Sequence, residues 1–279
     1  MNNLKIPEKK IDISYPSAWD EIEPEHAEKI GEIMYKCFTG FLDYDMSRKL
    51  AVDVFLNRVN GRAKPKDNEQ GAAYWDIEAR LADSVNFLFE HIHDDKEELT
   101  VSVNPKFCVQ LVPVVKVGDR TYEGPKDLFA DLTAWQWKEA SWRIGKYAGA
   151  KEDSYLNELF AILYGKTEQG FEQALSDAGR VPIGIRFMIY LYFVGCMNWI
   201  REEPVEIDGS EIDFGCLFPK PGEGQSQKGE SDNTGVAGIL FQIAESGVFG
   251  NMEQVLKVNM WDIYLRLYQI HLQIKKLKI

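Results

Sequence analysis

A chain of 279 residues can form one large domain or two modest ones, and 45% hydrophobic with 12% aromatic residues is the composition of a packed globular protein, which excludes a disordered chain. The formal net charge of −12 excludes the clustered Lys and Arg with which a protein displaces counterions from nucleic acid. It suits a protein that repels anions and favours a basic partner. Cys37, Cys108, Cys196 and Cys216 are far apart and form no CxxC pair, so they are expected to be reduced thiols of a cytoplasmic protein, not a disulfide framework or a zinc site.

The opening "MNNLKIPEKKIDISYP" has charges but no apolar stretch behind them, so it does not read as a secretory signal, and residues 1–16 are expected to form an extended lead-in. A first helix is signalled by "EIEPEHAEKIGEIMYKCF". Pro24 fits its first position, and Ile30, Ile33, Met34, Cys37 and Phe38 recur at helical spacing. Within "EPEH", Glu25 and His26 are neighbours and are expected to point to different faces. A second helix is expected from Ser47, carrying Leu50, Val54 and Leu56 until "NGRAKPKDNEQG" breaks it. A third is expected from about Ala72 to Ile92, with Trp75, Ala79, Ala82, Val85, Phe89 and Ile92 on one side.

The end of that third segment, "EHIHDDKEE", holds Glu90, His91, His93, Asp94 and Asp95. Imidazole and carboxylate together can hold a transition metal or serve as acid and base. On a helix, however, residues 91 and 93 lie about 200° apart, so they could share an ion only if the chain were extended or turned there. A solvated helix end, where His complements the dipole, is the expectation.

The middle of the chain changes character. "LTVSVNP" and "FCVQLVPVVKVGDRTYEGP" are valine-rich, and "VVKV-GD-RTY" has the form of a hairpin about a Gly-Asp turn. A second hairpin, "PVEI-DG-SEID", is expected over residues 204–213, with Pro105 and Pro113 confining the strands near them to edges or bulges. In "DLTAWQWKEASW", Thr133 and Gln136 form a capping box, and Leu132 with Trp137 is placed for a hydrophobic staple. Trp135 and Trp142 stand two helical turns apart on one face. Core packing is the expectation for these tryptophans over a stacking platform, because only Lys138, Arg143 and Lys146 adjoin them.

Helices are then expected over residues 153–164, in "TEQGFEQALSDAG", and over 183–200. The apolar run "FMIYLYFVGCMNWI" lies between Arg186 and Arg201 and falls short of the roughly twenty residues a membrane span needs, so it reads as a core helix. Residues 219–235 read as a flexible linker. After it, Leu256, Met260, Ile263, Leu267, Ile270, Ile274 and Leu277 follow a heptad-like seam, widened by Trp261, Tyr264, Tyr268 and Leu272. Packing within the fold and docking on a partner or a second copy are the competing readings of that face. Asn259 and Asp262 could cap a new helix, which would divide the seam into a short helix and a long one. His271 stands alone in this segment and is expected at the surface or in the seam.

No GxSxG, P-loop, HExxH or GxGxxG motif occurs. The expected fold is mainly α: a helical body over residues 1–218 with two small β-hairpins, the linker 219–235, and a C-terminal helical segment 236–279 that packs back on the body.

Four phrases carry a resemblance: "SAWDEIEPEH", "YEGPKDLFADLTAWQW", "YLNELFAILY" and "ILFQIAESGVFGNMEQVLKVNMWDIYLRL". In their order the chain resembles helical accessory proteins of bacterial prophage structural-gene clusters, of the tail-assembly-chaperone kind. The similarity spans most of the chain, but its phrases are structural and none is a catalytic signature. The longer N-terminal region and the 219–235 linker depart from the pattern. The resemblance implies a protein that acts by binding other phage proteins. The expected function is therefore a non-enzymatic interaction protein, an assembly factor or chaperone, with a phage structural protein or a second copy as partner. No nucleic acid, membrane, metal or cofactor is expected. The partner-binding residues are expected to be Leu256, Met260, Ile263, Tyr264, Leu267, Ile270 and Ile274. The alternative is a metal-dependent hydrolase built on His91, His93, Asp94 and Asp95.

Overall fold

The computed structural model describes residues 1–6, 11–58, 69–93, 99–207, 209–218 and 235–277. The chain is mainly helical, and its described strands form four two-stranded antiparallel ribbons. It divides into two compact units, Met1–Val112 with Val181–Tyr192, and Pro113–Arg180 with Phe193–Ile279. The composition break at residues 219–235 does not mark that division.

In the first unit, the lead-in is a ribbon: β1 (Asn2–Ile6) pairs antiparallel with β2 (Ile11–Tyr15), with Leu4 opposite Ile13. Its ends are tied down, since the Asn2 amide donates to the Pro16 and Ser84 carbonyls at 3.0 and 3.2 Å. Helix α1 (Pro24–Phe38) starts at the proline as the sequence indicates and buries Ala27, Ile30, Ile33 and Met34. Gly31 of α1 approaches Gly184 so closely that a Cβ on Gly31 would lie 2.1 Å from the Gly184 carbonyl oxygen. Only glycine permits that backbone contact. Helix α2 (Tyr44–Phe55) starts three residues before the expected Ser47, because Asp43 caps it by accepting from the Met46 N–H at 2.8 Å. Ser47 is buried instead and donates its hydroxyl to the Asp43 carbonyl at 2.7 Å.

Helix α3 (Glu69–Asp83) stops well before the expected Ile92. A 3-10 turn over Asn86–Leu88 follows, and then β3 (Phe89–His93) pairs antiparallel with β4 (Leu99–Val103), with Phe89 opposite Val103 and His91 opposite Val101. Phe89 and Ile92 satisfy a helical period, but the valine-rich strand offers backbone partners, and the pairing buries Phe89 and Val103. Trp75, expected on the inner side of a long helix, is 45% exposed, while Leu81 and Val85 are buried. Trp19 stacks on Phe107 with ring centroids 4.6 Å apart.

In the second unit, both expected hairpins are present. β5 (Val114–Val117) pairs with β6 (Arg120–Glu123), and β7 (Val205–Ile207) pairs with β8 (Ser210–Ile212). Gly118 and Gly209 take the positive φ these turns require. Val115, Val117 and Tyr122 alternate inward, and the Tyr122 hydroxyl donates to the Asp177 carboxylate at 2.7 Å. Helix α4 (Ala134–Ala150) follows, then α5 (Asp153–Gly165), which is buried from Leu159 to Tyr164, and α6 (Glu168–Ala178). Helix α7 (Ile183–Glu202) supplies residues 183–192 to the first unit and 193–202 to the second. Among the described residues it is the one helix long and apolar enough to cross a membrane, and 67% of its apolar window is buried in the protein, as in a core helix. The last elements are α8 (Gly235–Glu245), α9 (Met252–Val255) and α10 (Met260–Leu277). The C-terminal seam is thus carried by α10 from Met260 onward, with Leu256 in the break between α9 and α10. None of the four cysteines is in a disulfide.

Candidate functional site

The start of α4 and the start of α10 are built together. The first four N–H groups of any helix lack intrahelical partners. At α4 the capping box supplies two: the Thr133 N–H donates to the Gln136 side-chain oxygen at 3.1 Å, and the Gln136 N–H donates to the Thr133 hydroxyl at 3.3 Å. The other two come from far along the chain. Ala134 donates to the Val258 carbonyl at 2.8 Å and Trp135 to the Leu256 carbonyl at 3.0 Å. In return, the Met260 N–H donates to the Leu132 carbonyl at 2.8 Å, the Asn259 amide to the Ala130 carbonyl at 2.9 Å, and the Trp261 indole N–H to the Leu128 carbonyl at 3.0 Å. Asn259 also caps α10 by accepting from the Trp261 N–H at 2.8 Å.

Side chains complete the joint. The Trp137 ring lies 5.0 Å from Tyr264, and Phe214 meets Trp261, Tyr264 and Tyr268 at 5.6–5.9 Å. Trp137 and Tyr264 are 2% and 1% exposed, and their polar atoms have no hydrogen-bond partner among the described residues. Burial accordingly raises the Tyr264 phenol well above its ordinary pKa.

The seven expected partner-binding residues fall into three groups. Met260, Ile263 and Tyr264 are buried within the second unit and offer no surface, because their side chains fill its aromatic cluster. Leu256, Leu267 and Ile270 are half-buried. Ile274 is 48% exposed, and beside it Leu277 is 86% exposed. Leu272 is 38% exposed too, but it lies about 160° round the helix from Ile274. His271 is half-buried, as a seam-edge residue would be. Lys275 and Lys276 are exposed among the apolar side chains.

The tryptophans divide too. Trp137 is core and Trp135 is half-buried against Phe171, but Trp142 is 52% exposed. Its ring carries the Arg143 guanidinium at 4.7 Å and the Lys146 ammonium at 5.4 Å, so the expected core packing does not extend to it. Arg143 is itself held by Glu139 and by Glu158, the latter at 2.9 Å.

Of the "EHIHDDKEE" cluster, Glu90 and His91 lie in β3, and the exposed His91 ring meets Tyr44 at 5.9 Å. The strand backbone removes the helical separation expected between positions 91 and 93. The side chain of His93, with Asp94 and Asp95, lies outside the described residues. Glu25 and His26, expected on different faces, come within 4.0 Å of each other at the start of α1. Comparison with family models, with characterised proteins and with solved structures finds no match to this chain.

Proposed function

We propose that this chain is a non-enzymatic protein-interaction protein, an assembly factor or chaperone of the prophage type, that takes its partner on the C-terminal turns of α10. The observation that carries this reading is the division of that helix. At 18 residues it is roughly 27 Å long, with its first turns sewn to the start of α4 and Leu272, Ile274 and Leu277 open at its end. Ile274 and Leu277 lie about 60° apart round the helix and so share one exposed face, and contiguous exposed apolar faces mark interaction sites. The phrases "YEGPKDLFADLTAWQW" and "NMEQVLKVNMWDIYLRL", on which the prophage resemblance rests, are the ones that build this joint. Lys275 and Lys276 beside the open residues suit a partner with acidic groups around an apolar patch.

The test is a pull-down from the native host. Ile274→Asp with Leu277→Asp places carboxylates on the open face, and Leu267→Asp with Ile270→Asp places them on its half-buried flank. Both pairs are expected to abolish capture of the partner while the circular dichroism of the wild type is kept. A folded Ile274→Asp, Leu277→Asp chain that captures the same proteins as the wild type overturns the reading.

A further inference from the structure

The geometry points to a divalent transition-metal site formed by Glu23, Glu25 and His26 where α1 begins. Each offers one ligand atom, and these atoms all lie within 4.8 Å of one another. The second, independent observation is the state of the imidazole. His26 is 9% exposed, and both its ring nitrogens are buried with no hydrogen-bond partner among the described residues. A buried histidine ordinarily satisfies at least one nitrogen, because an unpaired buried polar atom is costly. Its ring meets Phe55 in a T-shaped arrangement with centroids 5.8 Å apart. Nε2 lies 4.0 Å from Glu25 Oε1.

The carboxylates are available. Glu23 is the N-cap of α1, yet its side chain makes no capping bond, because the His26 N–H donates to the Glu23 backbone carbonyl at 2.9 Å instead. Glu21, the neighbouring acid, is otherwise engaged. It accepts from the N-terminal ammonium and from the Ser17 N–H and hydroxyl, which hold its carboxyl down at about 2. Glu23, Glu25 and His26 line one cleft of about 320 Å³.

The donor set selects the ion. One imidazole nitrogen with two carboxylate oxygens suits Zn²⁺, Mn²⁺ or Co²⁺, whereas Ca²⁺ and Mg²⁺ favour all-oxygen shells. Zinc holds such atoms at about 2.0–2.2 Å, which would draw them to roughly 3.4 Å from one another. Both glutamates are exposed, so rotation of their side chains can close that gap without moving the buried ring. Two carboxylates balance the ion's charge with the histidine neutral. Three protein ligands leave the remaining coordination positions open to the cleft.

Isothermal titration of the untagged full chain with ZnCl₂ tests the assignment, together with thermal unfolding. The wild type is expected to bind one ion per chain and to melt at a higher temperature as zinc is added. Glu23→Gln with Glu25→Gln changes only exposed side chains, so it should keep the fold, lose at least tenfold in affinity and lose the zinc-dependent rise in Tm. His26→Gln should lose affinity likewise, and His91→Ala with His93→Ala should retain it. The assignment is overturned if the wild type shows no saturable binding of Zn²⁺, Mn²⁺ or Co²⁺. It is equally overturned if the folded Glu23→Gln, Glu25→Gln chain binds as tightly as the wild type.

Discussion

The two halves of α10 share one apolar pattern and meet opposite fates. Met260 and Ile263 are fully buried, while Ile274 and Leu277 on the same seam are 48% and 86% exposed. The difference lies in what each half faces. The first turns lie against a segment whose carbonyls and N–H groups need partners, so hydrogen bonds and apolar burial act together there. The last turns run past that segment. A heptad pattern therefore states what a helix could bury, and the rest of the fold states how much of it is buried.

The comparison is broken most severely at Trp137. Trp137→Ala removes a ring that is 2% exposed and touches Tyr264, and it is expected to cost about 3–5 kcal/mol in denaturant unfolding. Trp137→Phe should cost less, since the indole N–H has no hydrogen bond to lose among the described residues. A loss under about 1 kcal/mol for the alanine variant would mean that α10 is not held through this ring.

Asn259→Ala deletes both the cap on Trp261 and the bond to the Ala130 carbonyl, and is expected to cost about 1–2 kcal/mol by the same measurement. Thr133→Ala removes one side of the α4 capping box, at about 1 kcal/mol. The open half should behave differently. Ile274→Asp with Leu277→Asp is expected to change stability by no more than about 0.5 kcal/mol, since neither residue is buried. A large loss of stability there would erase the distinction between the halves.

Asp177 gives the smallest expected effect and a control away from α10. The Tyr122 hydroxyl and the Arg120 guanidinium, the latter at 2.9 Å, hold its carboxyl below the ordinary range. A carboxyl depressed in the folded state adds stability above its unfolded pKa, about 3.9, and that stability is lost as pH falls through the folded value. Asp177→Asn should therefore flatten the stability profile below about pH 4 and leave partner capture unchanged. An unchanged acid slope would assign it to other carboxylates.

Much of the local architecture was legible in the residues. Pro24 at the start of α1, the Thr133–Gln136 box and the Gly-Asp and Asp-Gly hairpins depend on atoms within a few positions of each other, and all are found. The third helix was overrun because Phe89 and Ile92 fit a helical period, and the strand that claims their backbone lies ten residues further on. Trp142 shared a helix face with Trp135 yet stayed half in solvent, because nothing in helical spacing records where the neighbouring elements stop. The candidate metal ligands were passed over because adjacent residues diverge on a regular helix, and the first turn is where that regularity is still being set up.

What the sequence by itself determined is the mainly helical class, the hairpins, the caps and the apolar stripes, since these follow from backbone dihedrals and from side-chain periods that act over a turn or two. The tertiary structure alone decided that the open N–H groups of Ala134 and Trp135 would be satisfied by carbonyls more than a hundred residues away. It also decided that three of the seven expected partner-binding residues would be consumed in doing so, and that both nitrogens of a histidine would be buried beside two glutamates. Those outcomes depend on which unsatisfied polar groups and apolar faces meet in space, and a one-dimensional pattern carries the supply of such groups without their pairing.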